Sequence, residues 1–198
     1  GDNLVAQLSC AMPEAATFLA AGDMLMGWFV DELYISQHGP EYLFKRIADL
    51  TRSADITFAN LENPMSTRGV MENKGLMFRA SPEAVKGLVY GGIDVVNLAN
   101  NHVGDYGAQA LLDTFDVLTR NGIGYVGAGR NRAEARCPWI TTTKGIRIAL
   151  LAYNEIEPGY FAATDSRPGT AWIEPESVYS EIKKAKAQAD FVIASFHW

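Results

Sequence analysis

Five short apolar runs recur along the chain and each closes on polar residues: ATFLAAGD (16–23), ADITFANLE (54–62), IDVVNLANNH (93–102), IRIALLAYNE (146–155) and ADFVIASFHW (189–198). Runs of this length with polar ends predict buried strands. Between them the apolar period lengthens. GAQALLDTFDVLTRNG puts Ala108, Leu111, Leu112, Phe115 and Leu118 on one helical face, and Asn121 with Gly122 tolerates the left-handed stop that follows. PESVYSEIKKAKAQAD predicts a second helix with Val178, Ile182, Ala185 and Ala189 as its apolar stripe. PEYLFKRIADL and SPEAVKGLVYGG predict shorter ones, each with a proline near the start, where the missing amide donor does no harm. TTTKGIR reads as a hairpin turn joining CPWITT to IRIALLAY.

Strands alternating with helices imply an α/β fold with a largely parallel sheet flanked by helices. With no repeat or linker, one domain is expected over 16–198, after an N-terminal tail at 1–15. The chain has 198 residues, 48% of them hydrophobic, enough for one sizeable core. Its net charge is -6 and its Lys and Arg are scattered, which argues against nucleic acid or an anionic membrane surface as partner. Cys10 and Cys137 are too far apart to define a disulfide framework, and no CxxC metal signature occurs, so the redox compartment stays open. No stretch reaches the roughly 18–20 apolar residues of a membrane span. The opening GDNLVAQLSCAMPEAA lacks the basic start and apolar middle of a secretory signal, and export stays undecided on composition.

In open α/β sheets, ligands collect beyond the carboxyl ends of the strands. The residues expected there are Gly22 and Asp23, then Asn60 and Glu62, then Asn100, Asn101 and His102, and finally His197. Oxygen and nitrogen donors without thiolates suit a divalent ion such as Mn²⁺, Mg²⁺ or Zn²⁺. Each residue also has a plainer explanation. An Asp or Asn at a strand end commonly bonds its own backbone in a turn, and Glu62, just before Asn63 and Pro64, reads equally well as a solvated loop residue. Asn101 with His102 is harder to dismiss, because an amide beside a titratable imidazole at a strand exit is costly unless partnered. Convergence of four strands on one edge favours a site over four separate accidents.

The segments AAGDMLMG (20–27), FANLENPMSTRG (58–69), KGLMFRASPE (74–83), GIDVVNLANNHVGDYG (92–107), LTRNGIGYVGAGRNRAEA (118–135) and FVIASFHW (191–198) carry a family resemblance. In this order they resemble the CapA family of bacterial capsule or poly-γ-glutamate synthesis proteins, whose domain is similar to the calcineurin-like metallophosphatases. The resemblance implies a layered metallophosphatase-like sandwich holding a divalent metal. It implies Asp23 as first-motif ligand, Glu62 as a bridging carboxylate, Asn101 as an amide ligand and His197 as a further ligand. His102 would meet the phosphate or leaving group, with Asp105 orienting its ring. Asn100, Arg79 and Lys74 would contact an anionic substrate, although a solvated arginine is the plainer reading of Arg79. The implied partners are an anionic polymer or its precursor and a membrane-bound synthesis complex. The implied setting is the cell envelope, extracytoplasmic or membrane-associated.

The chain also departs from that pattern. Leu25 stands where metallophosphatases place a histidine, and Glu62 stands for their second-motif aspartate. The closing segment of the GHxH type has no counterpart after His197, so the domain is expected to be incomplete at its C-terminus. Two roles stay open, beside the plainer possibility of a stable α/β domain whose site is vestigial. One is a metal-dependent hydrolase or transferase, with activated water as nucleophile and His102 as proton donor. The other is a non-catalytic assembly or export component of the polymer synthesis complex.

Overall fold

The computed structural model describes residues 15–73, 75–156 and 159–198. Nearly all of the expected tail, and Lys74, lie outside them. The apolar runs form two main sheets. In the first, β1 (Phe18–Met24), β2 (Ile56–Leu61), β3 (Val95–Asn97) and β4 (Gly124–Val126) lie side by side in chain order, all parallel. A two-stranded ladder follows, β5 (Ala128–Gly129) antiparallel to β8 (Gly169–Thr170). The second main sheet has the order β6 (Trp139–Thr143), β7 (Ile146–Asn154), β9 (Phe191–His197), with β6 antiparallel and β9 parallel to β7. The expected hairpin turn falls at Lys144 and Gly145, both at positive φ (48° and 75°), the conformation that matches the twist of tightly joined strands.

Helical segments are short before residue 85 and, apart from α5, longer from there on: α1 (Ser36–His38), α2 (Ala48–Thr51), α3 (Val85–Gly91), α4 (Gly107–Arg120), α5 (Arg132–Ala135) and α6 (Pro175–Lys186). The helix expected over PEYLFKRIADL is a 3₁₀ turn, Pro40–Phe44, followed by α2. Phe44 is drawn into the core against Gly91, where a Cβ would fall 2.4 Å from its ring, and this anchor outweighs local helix propensity. In α4 the buried face is Ala110, Leu111, Thr114, Phe115 and Leu118, turned slightly from the expected stripe. Thr114 belongs inside because its hydroxyl accepts from Met65 N (2.8 Å) and donates to Ala110 O (2.7 Å).

The two main sheets pack face to face. Ile56, Phe58, Val95 and Val126 of the first meet Ile148, Leu150 and Ala152 of the second. Gly127, at φ 83°, lies in tight contact between them, since a Cβ there would lie 2.5 Å from Ala99 Cβ and 2.9 Å from Ala152 Cβ. On its other face the first sheet buries Leu61, Val96 and Leu98 with Leu88 of α3 and Leu111, Phe115 and Leu118 of α4. Ala149, Leu151 and Tyr153 of the second bury against Val178 and Ala185 of α6. The layers are therefore helix, sheet, sheet, helix. Each central strand is covered on both faces, which is why its sequence reads as a continuous apolar run. No helix among the described residues is long and apolar enough to cross a membrane.

Candidate metal centre

Strand register builds the site. In the first sheet Asp23 pairs with Asn60, and Asn60 with Asn97, so three polar residues line up across β1, β2 and β3 near their carboxyl ends. A one-residue bulge in β1 between Ala20 and Asp23 precedes this row, a common device for re-aiming a side chain. In the second sheet the same end of β9 presents His197, paired with Asn154 of β7. The loop after β3 adds Asn100, Asn101, His102 and Asp105.

A buried polar row must be fully hydrogen-bonded to be tolerated. This one is. Asn97 Oδ1 accepts from Ala99 N (2.6 Å), and Asn100 Oδ1 accepts from His102 N (3.0 Å) and Val103 N (2.9 Å). Both amides donate to Asn60 Oδ1 at 2.9 Å. Asn60 Nδ2 in turn donates to Asp23 Oδ1 (2.7 Å) and Glu62 Oε1 (2.6 Å). His197 closes the group, its Nε2 lying 3.2 Å from Glu62 Oε1 and 3.1 Å from Asn101 Oδ1.

Asp23, Glu62 and His197 each offer a ligand atom within 4.8 Å of the others. Glu62 is buried, and burial pushes its carboxyl above the ordinary range, opposed by the His197 charge and the Asn60 hydrogen bond. An acid held this way is one that a neighbouring cation would help to ionise. The donor set fits a hard or borderline divalent ion: two carboxylates, an imidazole and the Asn101 amide oxygen.

Beside this cluster, His102 Nδ1 lies 2.9 Å from Asp105 Oδ2, and its Nε2 is 4.0 Å from Glu62 Oε2. Asp105 is fully buried and also accepts from Phe78 N (2.6 Å), so its carboxylate is fixed before it meets the imidazole. The Phe78 ring lies tilted against His102 with centroids 4.1 Å apart, and Trp28 lies 5.5 Å from Phe78. Gly27, just before Trp28, presses against the backbone of Arg79; a Cβ there would lie 2.2 Å from Arg79 O.

Among the expected site residues, Asp23, Glu62, Asn101, His197 and His102 come together, with Asp105 behind His102. Asn100 is turned inward. It is 1% exposed, and both its N–H groups and its oxygen bond the protein (Asn60, Leu61 O, His102 N, Val103 N), so it supports the site and cannot contact a substrate as expected. Arg79 packs its guanidinium 4.1 Å over the Tyr106 ring, next in sequence to Asp105. The expected Lys74 contact falls outside the described residues. Sequence reasoning missed Asn97 and Phe78. A lone asparagine inside VVNLAN was the available signal, because a buried amide in a strand demands a partner.

A family model described as bacterial capsule synthesis protein PGA_cap matches residues 17–198. The capsule biosynthesis protein CapA of Bacillus anthracis is 30% identical over 193 residues, covering 93% of this chain and 47% of that protein. The PGA biosynthesis protein CapA of Bacillus subtilis is 32% identical over 181 residues, covering 89% and 47%. A probable polyglutamine synthesis accessory protein of Mycobacterium tuberculosis is 26% identical, covering 94% of this chain and 60% of that protein. The chain thus spans about half the length of the curated relatives it matches. Among solved structures, one described as a novel phosphatase from Mycoplasma pneumoniae superposes with a TM-score of 0.52 at 16% identity, over 94% of this chain and 56% of that one. The expected layered fold is the one that the two share.

Proposed function

The chain belongs to the PGA_cap family of bacterial capsule synthesis proteins, and from that premise we propose that it serves envelope polymer synthesis through a metal-dependent hydrolase or transferase site. The carrying observation is the mutual approach of Asp23, Glu62 and His197 within 4.8 Å, on strand ends of two different sheets. With Asn101 they would hold Mn²⁺, Mg²⁺ or Zn²⁺. Such an ion supplies Lewis-acid polarisation and activation of water. The polymer in this reading is an anionic one of the poly-γ-glutamate kind, or its precursor, handled at the cell envelope beside a membrane-bound synthesis complex.

The chain's own residues supply the rest. Asp105 accepts a hydrogen bond from His102 Nδ1 and fixes the ring, so that Nε2, when the ring carries a second proton, gives that proton to a leaving group. Phe78 walls one side of that imidazole, and Trp28 packs against Phe78. Arg79 brings a positive charge to the Tyr106 side, where an anionic substrate would be drawn.

The second reading is a metal-stabilised assembly or export component. Leu25 in place of a ligand favours it, as does the word accessory in the name of the mycobacterial relative. Mn²⁺ titration by electron paramagnetic resonance, followed by screening of phosphoesters and γ-glutamyl amides, tests the first reading. We expect Mn²⁺ binding that Asp23→Ala weakens and turnover that His102→Ala abolishes. Absence of binding by the unsubstituted chain would sink the metal site. Turnover unchanged by both substitutions would sink the catalytic role. Binding without turnover, with polymer synthesis unharmed by the double substitution, would move the assignment to the assembly reading.

A further inference from the structure

The direction of the buried amides carries an inference of its own. Backbone N–H groups only donate. The oxygens of Asn97 and Asn100, which accept from Ala99, His102 and Val103, are therefore fixed in orientation. Their amino groups must then face Asn60 Oδ1, and both do so at 2.9 Å. Asn60 is in turn left with one orientation: oxygen inward, both N–H groups outward to Asp23 Oδ1 and Glu62 Oε1. Turning it over would set two N–H groups against a third and an oxygen against two carboxylates, at 6% exposure, where unsatisfied groups are costly.

We propose that Asn60 is a positioning residue for the metal centre. It is not an oxygen ligand; it is an amide that holds the carboxylates of Asp23 and Glu62 together before any ion arrives. The inference rests on the metal-site reading above and deepens it. Two carboxylates drawn together, Glu62 buried and Asp23 exposed beside it, repel each other. One amide offering a hydrogen to each replaces that repulsion with two charge-assisted hydrogen bonds and leaves other lone pairs of both groups for an ion. Asn60 thus pre-organises the ligands, and Asn97 and Asn100 pre-organise Asn60.

The test compares Asn60→Ala, Asn60→Asp, Asp23→Asn and the double substitution Asp23→Asn/Asn60→Asp in the full 198-residue chain. Mn²⁺ affinity is read by calorimetric titration, and melting is followed in EDTA and in Mn²⁺. Asn60→Ala should weaken Mn²⁺ binding by about 10- to 100-fold, the usual effect of removing a group that orients a ligand. Asn60→Asp keeps the acceptor for Asn97 and Asn100 but sets a third carboxylate against two. It should melt lower in EDTA and gain more from Mn²⁺ than the unsubstituted chain. The double substitution restores one donor facing one acceptor, in reverse, and should recover much of the EDTA melting temperature lost by Asn60→Asp.

Unchanged Mn²⁺ affinity in Asn60→Ala, with melting lowered equally in EDTA and Mn²⁺, would overturn the proposal in favour of a purely structural amide. If the unsubstituted chain binds no Mn²⁺, the metal reading fails, and the EDTA arm still decides whether Asn60 holds Asp23. Recovery in the double substitution supports that contact, and simple addition of the two losses overturns it.

Discussion

Replacing Glu62 with Gln is expected to leave the metal-free protein at least as stable at pH 7, while removing its response to divalent ions. Glu62 is 7% exposed and accepts a 2.6 Å hydrogen bond from Asn60, which a glutamine oxygen can accept equally. Burial raises its carboxyl above the ordinary 4.5, against the pull of His197 and Asn60. The native state therefore holds this proton more tightly than the unfolded chain does. The associated stability is full below pH 4.5 and is lost as pH rises through the raised native value. At pH 7, above the 4.5 at which the unfolded chain gives up this proton, Glu62 is a net cost to the metal-free fold that Gln does not carry. A bound ion reverses the sign by placing positive charge beside two carboxylates. At a concentration 100 times its dissociation constant, such an ion stabilises the native state by about 2.7 kcal/mol. For 198 residues at about 2.1 cal/mol/K each, the unfolding entropy is roughly 0.42 kcal/mol/K, so the melting temperature should rise by about 6 °C. Differential scanning calorimetry in EDTA and in Mn²⁺, from pH 5.5 to 8, reads both effects. An equal Mn²⁺ shift in Glu62→Gln would refute the ligand assignment. A lower melting temperature for Glu62→Gln in EDTA at pH 7 would refute the electrostatic reasoning.

Three other outcomes follow from the same structure. Asp105→Ala removes the acceptor for Phe78 N and His102 Nδ1 in a fully buried place; it should cost about 3 kcal/mol in urea unfolding, and a loss under 1 kcal/mol would contradict the described contacts. Asp55 is held down to about 2 by the Thr17 backbone donor and by Lys144, tying the start of β1 to the β6–β7 turn. Its contribution is present above the ordinary 3.8 and lost as pH falls through about 2, so Asp55→Asn should flatten acid unfolding over that window, and an unchanged acid profile would exclude the tie. Gly127→Ala forces a Cβ between Ala99 and Ala152 at a positive φ; it should destabilise by more than about 1 kcal/mol, measured by chemical denaturation, and a neutral result would mean that the sheets are not in contact there.

Strands β1, β2, β3, β6, β7 and β9 and the two long helices were legible in the sequence because apolar period is a local property, whereas the short β4, β5 and β8 were not. The hairpin at Lys144 and Gly145 was legible for the same reason, through residues that accept positive φ. Division into two sheets was not. A strand covered by a helix and a sheet has the same apolar sequence as one covered by two helices, so periodicity does not say which runs pair. The ligand candidates were visible as polar endings, and four of them, Asp23, Glu62, Asn101 and His197, do converge. Hidden from the sequence was the direction of the hydrogen bonds among them. Asn60, Asn97 and Asn100 have identical side chains, and only the fold tells which one meets backbone donors and which one meets carboxylates. Parallel register places Asp23, Asn60 and Asn97 on neighbouring strands about 4.8 Å apart, close enough for each side chain to reach the next. Backbone N–H groups at the buried end then set every amide pointing the same way, with hydrogens toward the rim. Acceptors accumulate at the outer end of the row, where the buried Glu62 and the exposed Asp23 stand. Glutamine or aspartate at any of the three asparagines would break the row by length or by sign. Composition is thus a poor guide to this site, because its polarity comes from the order of donors along the row and not from the number of charged groups in it.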